Sequence, residues 1–394
     1  MNKIVIDGEY WDSYIYSNNL ILFGYDGTIK SYIWDSLLKS KLEENSPYFL
    51  GYKCAFLQGD YLYGISEKDL FDDIEIKCVI ENKFKHINDL YFTAKDMEKY
   101  ENGRTDELSQ LPIDIVVYKN TLYYCNSDGF YKRNLRHNNN IKYISSREQK
   151  IWDGKVQYIK LGHGGRIALS ASSDGLFDFD DKDYNVMTGE QKFDDIIQIS
   201  NKHSSYCSWS FSSLFSGSYS DESFLYGFSY QNNGNNHYLL EHHRSYEMKQ
   251  LFSNSNGLYI TNNEKIYCLD NNQIRVIQYT QKNLGTEYSP FLEIKNNNTI
   301  NINEEIISAE VMEFGIVIET MHNLFVILST EEMINVNGKE DFVSWRVFPK
   351  SISYINQLHI IYNNRIEILS FNEDYFVKQD DKLFGNKYRN YKQK

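Results

Sequence analysis

Short runs of alternating apolar and polar residues recur along the whole chain, in pairs separated by turns rich in Asn, Asp or Gly. The clearest pairs are Leu20-Ile-Leu-Phe-Gly-Tyr-Asp26-Gly27-Thr-Ile-Lys, Leu122-Tyr-Tyr-Cys-Asn-Ser-Asp128-Gly129-Phe-Tyr-Lys and Arg166-Ile-Ala-Leu-Ser-Ala-Ser-Ser-Asp174-Gly175-Leu-Phe-Asp-Phe-Asp. A two-residue period puts alternate side chains on opposite faces of a strand, and Asp-Gly between two such runs predicts a hairpin with a type I′ turn. Three-strand groups follow in order, beginning near Tyr14, Tyr52, Ile113, Val156, Ile196, Lys249, Ile306 and Ser353. A hairpin returning every ~40–60 residues is the signature of four-stranded propeller blades.

This pattern predicts an all-β fold: a closed β-propeller of four-stranded antiparallel blades, eight in number, with seven as the alternative. The second unit is read from Tyr52–Leu57, Tyr61–Ile65 and Leu70–Val79. Lys3-Ile-Val-Ile-Asp7 is a strand with no unit of its own, and the last hairpin, ending at Phe371, lacks an outer strand. Pairing these two removes an open sheet edge, so the first strand is expected to complete the last blade. One propeller domain is expected over 1–378, with short helical insertions near 35–44, 93–110 and 329–338 and a basic tail over 379–394. Asp35 is a candidate helix N-cap. The Asn-rich stretches 138–140, 232–236 and 296–298 are read as loops, because Asn tolerates left-handed backbone.

The chain of 394 residues is long enough for a large core. Aromatic residues make up 15% of it, which suits half-buried sheet faces. A net charge of −13 disfavours nonspecific binding to nucleic-acid phosphates and favours partners with basic faces. Cys54, Cys78, Cys125, Cys207 and Cys268 are scattered and form no C-x-x-C pair, so free thiols are expected rather than a disulfide scaffold or a metal site. No apolar run is long enough to span a membrane, and the first residues do not read as a leader. A cytoplasmic location follows, and the weight of Asn, Lys, Ile and Tyr points to an AT-rich, bacterial genome.

The Ser-Asp128-Gly-Phe-Tyr-Lys and Ser-Ser-Asp174-Gly-Leu-Phe-Asp-Phe-Asp segments resemble the repeat core of propellers in bacterial two-component sensors. Trp-Asp occurs at Trp11-Asp12, Trp34-Asp35 and Trp152-Asp153, and Trp34-Asp35 ends a third strand, as in WD40 repeats. No Gly-His pair stands at a fixed distance upstream, so the WD40 likeness is partial. Both resemblances imply a propeller and nothing further.

No Walker A loop, G-x-G-x-x-G, H-E-x-x-H or G-x-S-x-G motif is present. His163-Gly164-Gly165 is read as a turn. Glu241-His242-His243 places its two imidazoles on opposite faces of a strand, which suits no single metal. Asp178-Phe-Asp180-Asp181-Lys-Asp183 spaces carboxylates as calcium loops do, but lacks the turn Gly and closing Glu. No cofactor and no metal is expected. The candidate partner-binding residues are Tyr10, Trp11, Trp152 and Asp153, at connections that precede the first strand of a unit, where large aromatics make strong contacts. In the tail, Lys387, Tyr388, Arg389, Tyr391 and Lys392 interleave charge and aromatic rings, a composition that suits nucleic acid or an acidic partner.

The functional expectation is a non-catalytic protein-binding scaffold, a subunit of a larger assembly, with phage defence or a toxin–immunity pair as its setting. The alternatives are an enzyme or a small-molecule or glycan binder with a site in the central channel, and a nucleic-acid-associated subunit acting through the tail.

Overall fold

The computed structural model describes residues 1–371 apart from 43–45, 58–72, 106, 138–142, 146, 163–164, 182–194, 211–212, 221, 233–237, 254–256, 263, 271–272, 281–290, 330 and 352. Its strands form seven sheets, five of them four-stranded and two five-stranded, each built on antiparallel succession. This is the blade succession of a β-propeller. Blade 1 is Tyr10–Tyr16, Asn19–Gly24, Ile29–Ile33 and Glu101–Arg104. Blade 2 is Asp114–Tyr118, Thr121–Asn126, Gly129–His137 and Gln149–Trp152. Blade 3 is Tyr158–Leu161, Arg166–Ser170, Leu176–Asp180 and Asp195–Ser200. Blade 4 is Tyr206–Trp209, Ser213–Gly217, Phe224–Asn232 and Tyr238–Glu247. Blade 5 is Leu258–Asn262, Lys265–Leu269, Gln273–Tyr279 and Phe291–Thr299. Blade 6 is Ile306–Met312, Gly315–Thr320, Leu324–Leu328 and Met333–Asn335. Blade 7 is Ser344–Val347, Gln357–Ile361, Arg365–Ser370 and Asn2–Asp7. The chain divides into two compact units: residues 1–111, 136–145 and 307–394, with blades 7 and 1 and nearly all of blade 6, and residues 112–135 and 146–306, with blades 3 to 5 and most of blade 2.

Within the first unit, Asn2–Asp7 pairs antiparallel with Arg365–Ser370, in register from Asn2 opposite Ser370 to Asp7 opposite Arg365. The first strand therefore completes the last blade. Ile4 and Ile6 are fully buried there. The second strand of blade 1 is apolar on both faces: Leu20, Ile21, Leu22 and Phe23 are all buried. Such runs are what a sheet covered on two sides requires.

There are seven blades, not eight. The segment read as a second unit is a helical insertion between the third and fourth strands of blade 1. It contains helices Trp34–Lys39 and Phe49–Tyr52, a π-helical turn Lys53–Leu57, helix Ile74–His86 and helix Ala94–Tyr100. Asp73 caps the helix Ile74–His86 by accepting from the backbone N–H groups of Glu75 and Ile76, and Ile80 and Phe84 are buried four residues apart. That spacing is helical, and short apolar runs do not separate helix from strand by period alone. Tyr61–Ile65 lies outside the described residues. A strand within the insertion, Leu90–Phe92, adds in parallel to Asn2–Asp7 and gives blade 7 a fifth strand.

Other differences are local. The N-cap of Trp34–Lys39 is Ile33 rather than Asp35, which sits in the first turn and pairs with Lys39 at 2.6 Å. Thr93 and Asp96 form a capping box at the helix Ala94–Tyr100. In the segment 329–338, read as helical, Met333–Asn335 is instead the fourth strand of blade 6, because Phe325 to Ile327 offer it a ladder. Asn296 to Asn298 lie in the fourth strand of blade 5 and not in a loop. Lys249–Ser253 is not a strand: a helix, Met248–Leu251, opens it.

The Asp-Gly turns connect strands as read, but not as type I′ turns. Only the glycine takes positive φ, +80° at Gly27 and +102° at Gly175. At the first of them Asp26 acts through its side chain, accepting from the backbone N–H and hydroxyl of Thr28 at 3.0 and 2.6 Å. Both central residues are positive in the two-residue loops Ser17-Asn18 and Lys119-Asn120. A β-carbon on Gly175 would lie 2.0 Å from the Ser200 carbonyl oxygen.

Candidate binding cleft

In the second unit, turns of blades 4 and 5 bound an open cleft of about 1190 Å³. Each element arrives at an equivalent place. Lys202 and His203 precede the first strand of blade 4, and Ser218, Tyr219, Ser220, Glu222 and Ser223 lie between its second and third strands. Lys249 lies on the helix between blades 4 and 5, Asp270 and Gln273 flank the corresponding turn of blade 5, and Glu305 follows its last strand. These are the segments that enter a first strand or join a second strand to a third. In a meander both kinds emerge at one end of the blades, which is why residues far apart in sequence meet here.

The walls are fixed by buried and partly buried polar contacts. His203 is hydrogen-bonded at 3.3 Å to the Ser172 hydroxyl and at 3.1 Å to that of Ser218. Behind it, Ser204 donates to Ser170 at 3.0 Å and accepts from Ser216 at 2.9 Å, tying blade 3 to blade 4. The Tyr206 hydroxyl donates to the Tyr259 carbonyl at 3.0 Å, tying blade 4 to blade 5. Burial drives the Tyr206 phenol far above its ordinary range and that of Tyr259 up to about 12, so both remain protonated donors.

The open surface is chemically mixed. Tyr219 is 63% exposed, with its ring 5.1 Å from that of Tyr206. The Lys202 ammonium lies 3.6 Å from the centroid of the Phe224 ring and 3.8 Å from the Glu222 carboxylate. Asp270 accepts from the backbone and side-chain amides of Gln273 at 2.9 and 3.1 Å. Lys249 and Glu305 have no partner among the described residues, and they leave one free charge of each sign in the cleft.

None of the residues proposed from sequence lines this cleft. Tyr10, expected at a contact surface, is only 8% exposed and belongs to the core of the first unit. Trp11 is half-buried, edge-on to Tyr25 at 5.8 Å, and its carbonyl accepts from the Ser344 hydroxyl. Trp152 is half-buried against Phe177 at 4.5 Å, while the Asp153 side chain is 90% exposed and pairs with Lys150 at 2.5 Å. Lys387, Tyr388, Arg389, Tyr391 and Lys392 lie outside the described residues, as do His163 and Gly164. Glu241, His242 and His243 sit in the fourth strand of blade 4. Where the acidic run Asp178 to Asp181 is described, its carboxylates are engaged by the protein itself. Asp178 is fully buried in an ion pair with Arg166, and Asp181 accepts from Tyr123 and from Lys132. The one sequence signal for the cleft was Ser218-Tyr-Ser-Asp-Glu-Ser223, a polar stretch interrupted by a single aromatic ring.

No protein-family model matches the chain, and no curated relative matches it. Among solved structures, the WD40 domain of Pan2 from Neurospora crassa is similar over 92% of this chain and 91% of its own, at 8% identity and a TM-score of 0.46. The β-propeller domain of Cps50 (Swd1) from Myceliophteria thermophila is similar over 67% of this chain and 97% of its own, at 11% identity and a TM-score of 0.40.

Proposed function

We propose that this chain is a non-catalytic protein-binding propeller and that the cleft of blades 4 and 5 is its principal contact site. The observation that carries this reading is the lining itself: an exposed tyrosine, serine hydroxyls and two charges of opposite sign, Lys249 and Glu305, without a partner among the described residues, mounted on turns whose bases are held by partly buried hydrogen bonds. A cleft of about 1190 Å³ exceeds the ~300–1,000 Å³ typical of small-molecule pockets and suits a polypeptide segment. An exposed tyrosine contributes contact area at little rotamer cost. Trp11 with Tyr25, and Trp152 with Asp153, are auxiliary contact points, each within its own unit. The cellular reading is a cytoplasmic bacterial assembly, with phage defence or a toxin–immunity pair as its setting.

The test is affinity capture with the full chain, followed by quantitative binding to the partner recovered. Tyr219→Ala should cost about 2 kcal/mol of affinity without loss of fold. A partner that binds Tyr219→Ala as tightly as the parent would move the site elsewhere. Turnover of a small molecule, abolished by substitutions outside the cleft, would replace a binding function by an enzymatic one.

A further inference from the structure

Ser172, His203 and Ser218 form a line of hydrogen bonds, 3.3 Å from the Ser172 hydroxyl to Nε2 of the ring and 3.1 Å from Nδ1 to the Ser218 hydroxyl. We propose that Ser172 is a nucleophile, activated by His203, that takes an acyl group from an activated ester, one group per chain. This covalent step goes beyond the binding role and does not rest on it.

A neutral imidazole carries one proton, so when Nδ1–H donates to Ser218, Nε2 is left to accept the Ser172 proton. Nucleophile, base and orienting group are then in place, a set recognised by geometry and roles rather than by sequence position. Each member comes from a different turn: Ser172 joins the second and third strands of blade 3, His203 enters blade 4, and Ser218 follows the second strand of blade 4. Ser172 is pinned by its backbone, which exchanges two hydrogen bonds of 2.9 Å with Ser204. Its φ is +54°, in the left-handed region that residues other than glycine seldom occupy. Such outliers gather at active sites, where the surroundings over-determine them. His203 and Ser218 line the cleft and Ser172 is half-buried beside them, which puts its hydroxyl within reach of a group held there. The backbone N–H of Ser173 has no hydrogen-bond partner among the described residues. In α/β-hydrolases the amide that follows the nucleophile is a donor to the oxyanion, and Ser173 holds that place here. In the step, Ser172 Oγ bonds to the carbonyl carbon as its proton passes to Nε2 of His203. The bond to the leaving oxygen then breaks, and that oxygen takes the proton, giving acyl-Ser172 and a free alcohol or phenol. Ser218 orients the ring but brings no negative charge to stabilise an imidazolium, as the carboxylate of a triad does. The site is therefore limited to activated esters, whose leaving groups need little help, and excludes amides.

The experiment treats the full chain with an alkyl fluorophosphonate, which traps an activated serine as a P–O bond forms and fluoride leaves. A parallel sample receives 4-nitrophenyl butyrate, and peptide mass spectrometry locates both adducts. Each reagent should mark Ser172, and the ester should release one nitrophenolate per chain. His203→Gln should slow the reaction about a hundredfold or more, the share that a general base supplies. Ser218→Ala should slow it as well and Ser218→Thr should restore it, because a threonine hydroxyl can still accept from Nδ1. Ser172→Gly should abolish the adduct while keeping the turn, since glycine adopts positive φ without cost to its neighbours. Ser17, exposed and at φ +45° but with no imidazole partner among the described residues, should stay unmarked. If His203→Gln does not fold, the contrast between Ser218→Ala and Ser218→Thr gives the same reading. The proposal is overturned if Ser172 carries no adduct, if Ser17 is marked at the same rate, or if a folded His203→Gln reacts as fast as the parent.

Discussion

Two polar regions of this protein follow opposite rules. In the first unit, where blades 7 and 1 and the helical insertion meet, polar groups are buried and matched to one another. The Ser13 hydroxyl meets the ring of His359 at 2.9 Å. Asn356 and Ser370 donate to the Ala55 carbonyl, and Trp34 and Gln357 donate to that of Phe56. Both carbonyls belong to the π-helical turn Lys53–Leu57, and side chains of the last blade and of Trp34 donate to them. Arg346 grips Asp12 through two nitrogens at 3.1 and 2.5 Å. In the cleft of blades 4 and 5, by contrast, buried contacts stop at the base and charged groups reach solvent. A polar group without a protein partner is costly inside and harmless outside. The seam therefore holds the fold together, and under the proposed binding role the cleft is where charge is left for another molecule.

The sharpest way to break this contrast is to delete residues 1–8. The deletion strips blade 7 of a strand whose Ile4, Val5 and Ile6 are buried, and each large side chain lost from a core costs about 2–5 kcal/mol. The sum reaches the whole stability of a domain, about 5–15 kcal/mol, so the truncated chain should not fold. An unchanged melting temperature would show that blade 7 does not depend on its borrowed strand.

Asp12→Ala is the next largest. It leaves Arg346, whose side chain is only 15% exposed, without its carboxylate, and one-sided removal of a buried pair costs about 3–5 kcal/mol. Denaturant unfolding should show that loss, whereas Lys249→Ala in the cleft should stay within about 0.5 kcal/mol of the parent. Equal effects at the two positions would erase the distinction.

His359 sharpens the contrast through pH. Burial, and then the charge of Arg346, lowers its imidazole from 6.5 to about 3. Below pH 6.5 the unfolded chain takes up a proton at this ring that the folded chain refuses. Stability from this residue is therefore intact above 6.5 and declines as pH falls toward 3, by at most about 1.4 kcal/mol per pH unit. In His359→Gln that part of the slope should vanish. A variant with the parental slope would show that the ring titrates freely in the fold.

Much of the first unit was legible because its strands alternate cleanly. Gly315–Thr320 and Leu324–Leu328, Arg365–Ser370 and the unpaired strand at Asn2–Asp7 all carry their pattern in the chain itself. The insertion was not legible, since Tyr52–Leu57 is too short for its period to choose between helix and strand. Blades 4 and 5 slipped in phase for a related reason. Ser213-Leu-Phe-Ser-Gly217 holds only two apolar residues, so the second strand of blade 4 passed unnoticed. The cleft was less legible still. Lys202, Glu222, Lys249, Asp270 and Glu305 are spread over a hundred positions of polar turn, and nothing local marks them as neighbours. Only the return of the turns around blades 4 and 5 to the same end brings them together.

The pairing of Asn2–Asp7 with Arg365–Ser370 also sets a schedule for biosynthesis. Asp7 leaves the ribosome roughly 20–70 s before Arg365, at ~5–20 residues per second. Throughout that interval Lys3-Ile-Val-Ile is an apolar edge without its partner, open to chaperones or to the same strand of another nascent chain. Translation speed and chaperone supply thus bear on the yield of this protein more than on that of a fold whose strands pair with their sequence neighbours.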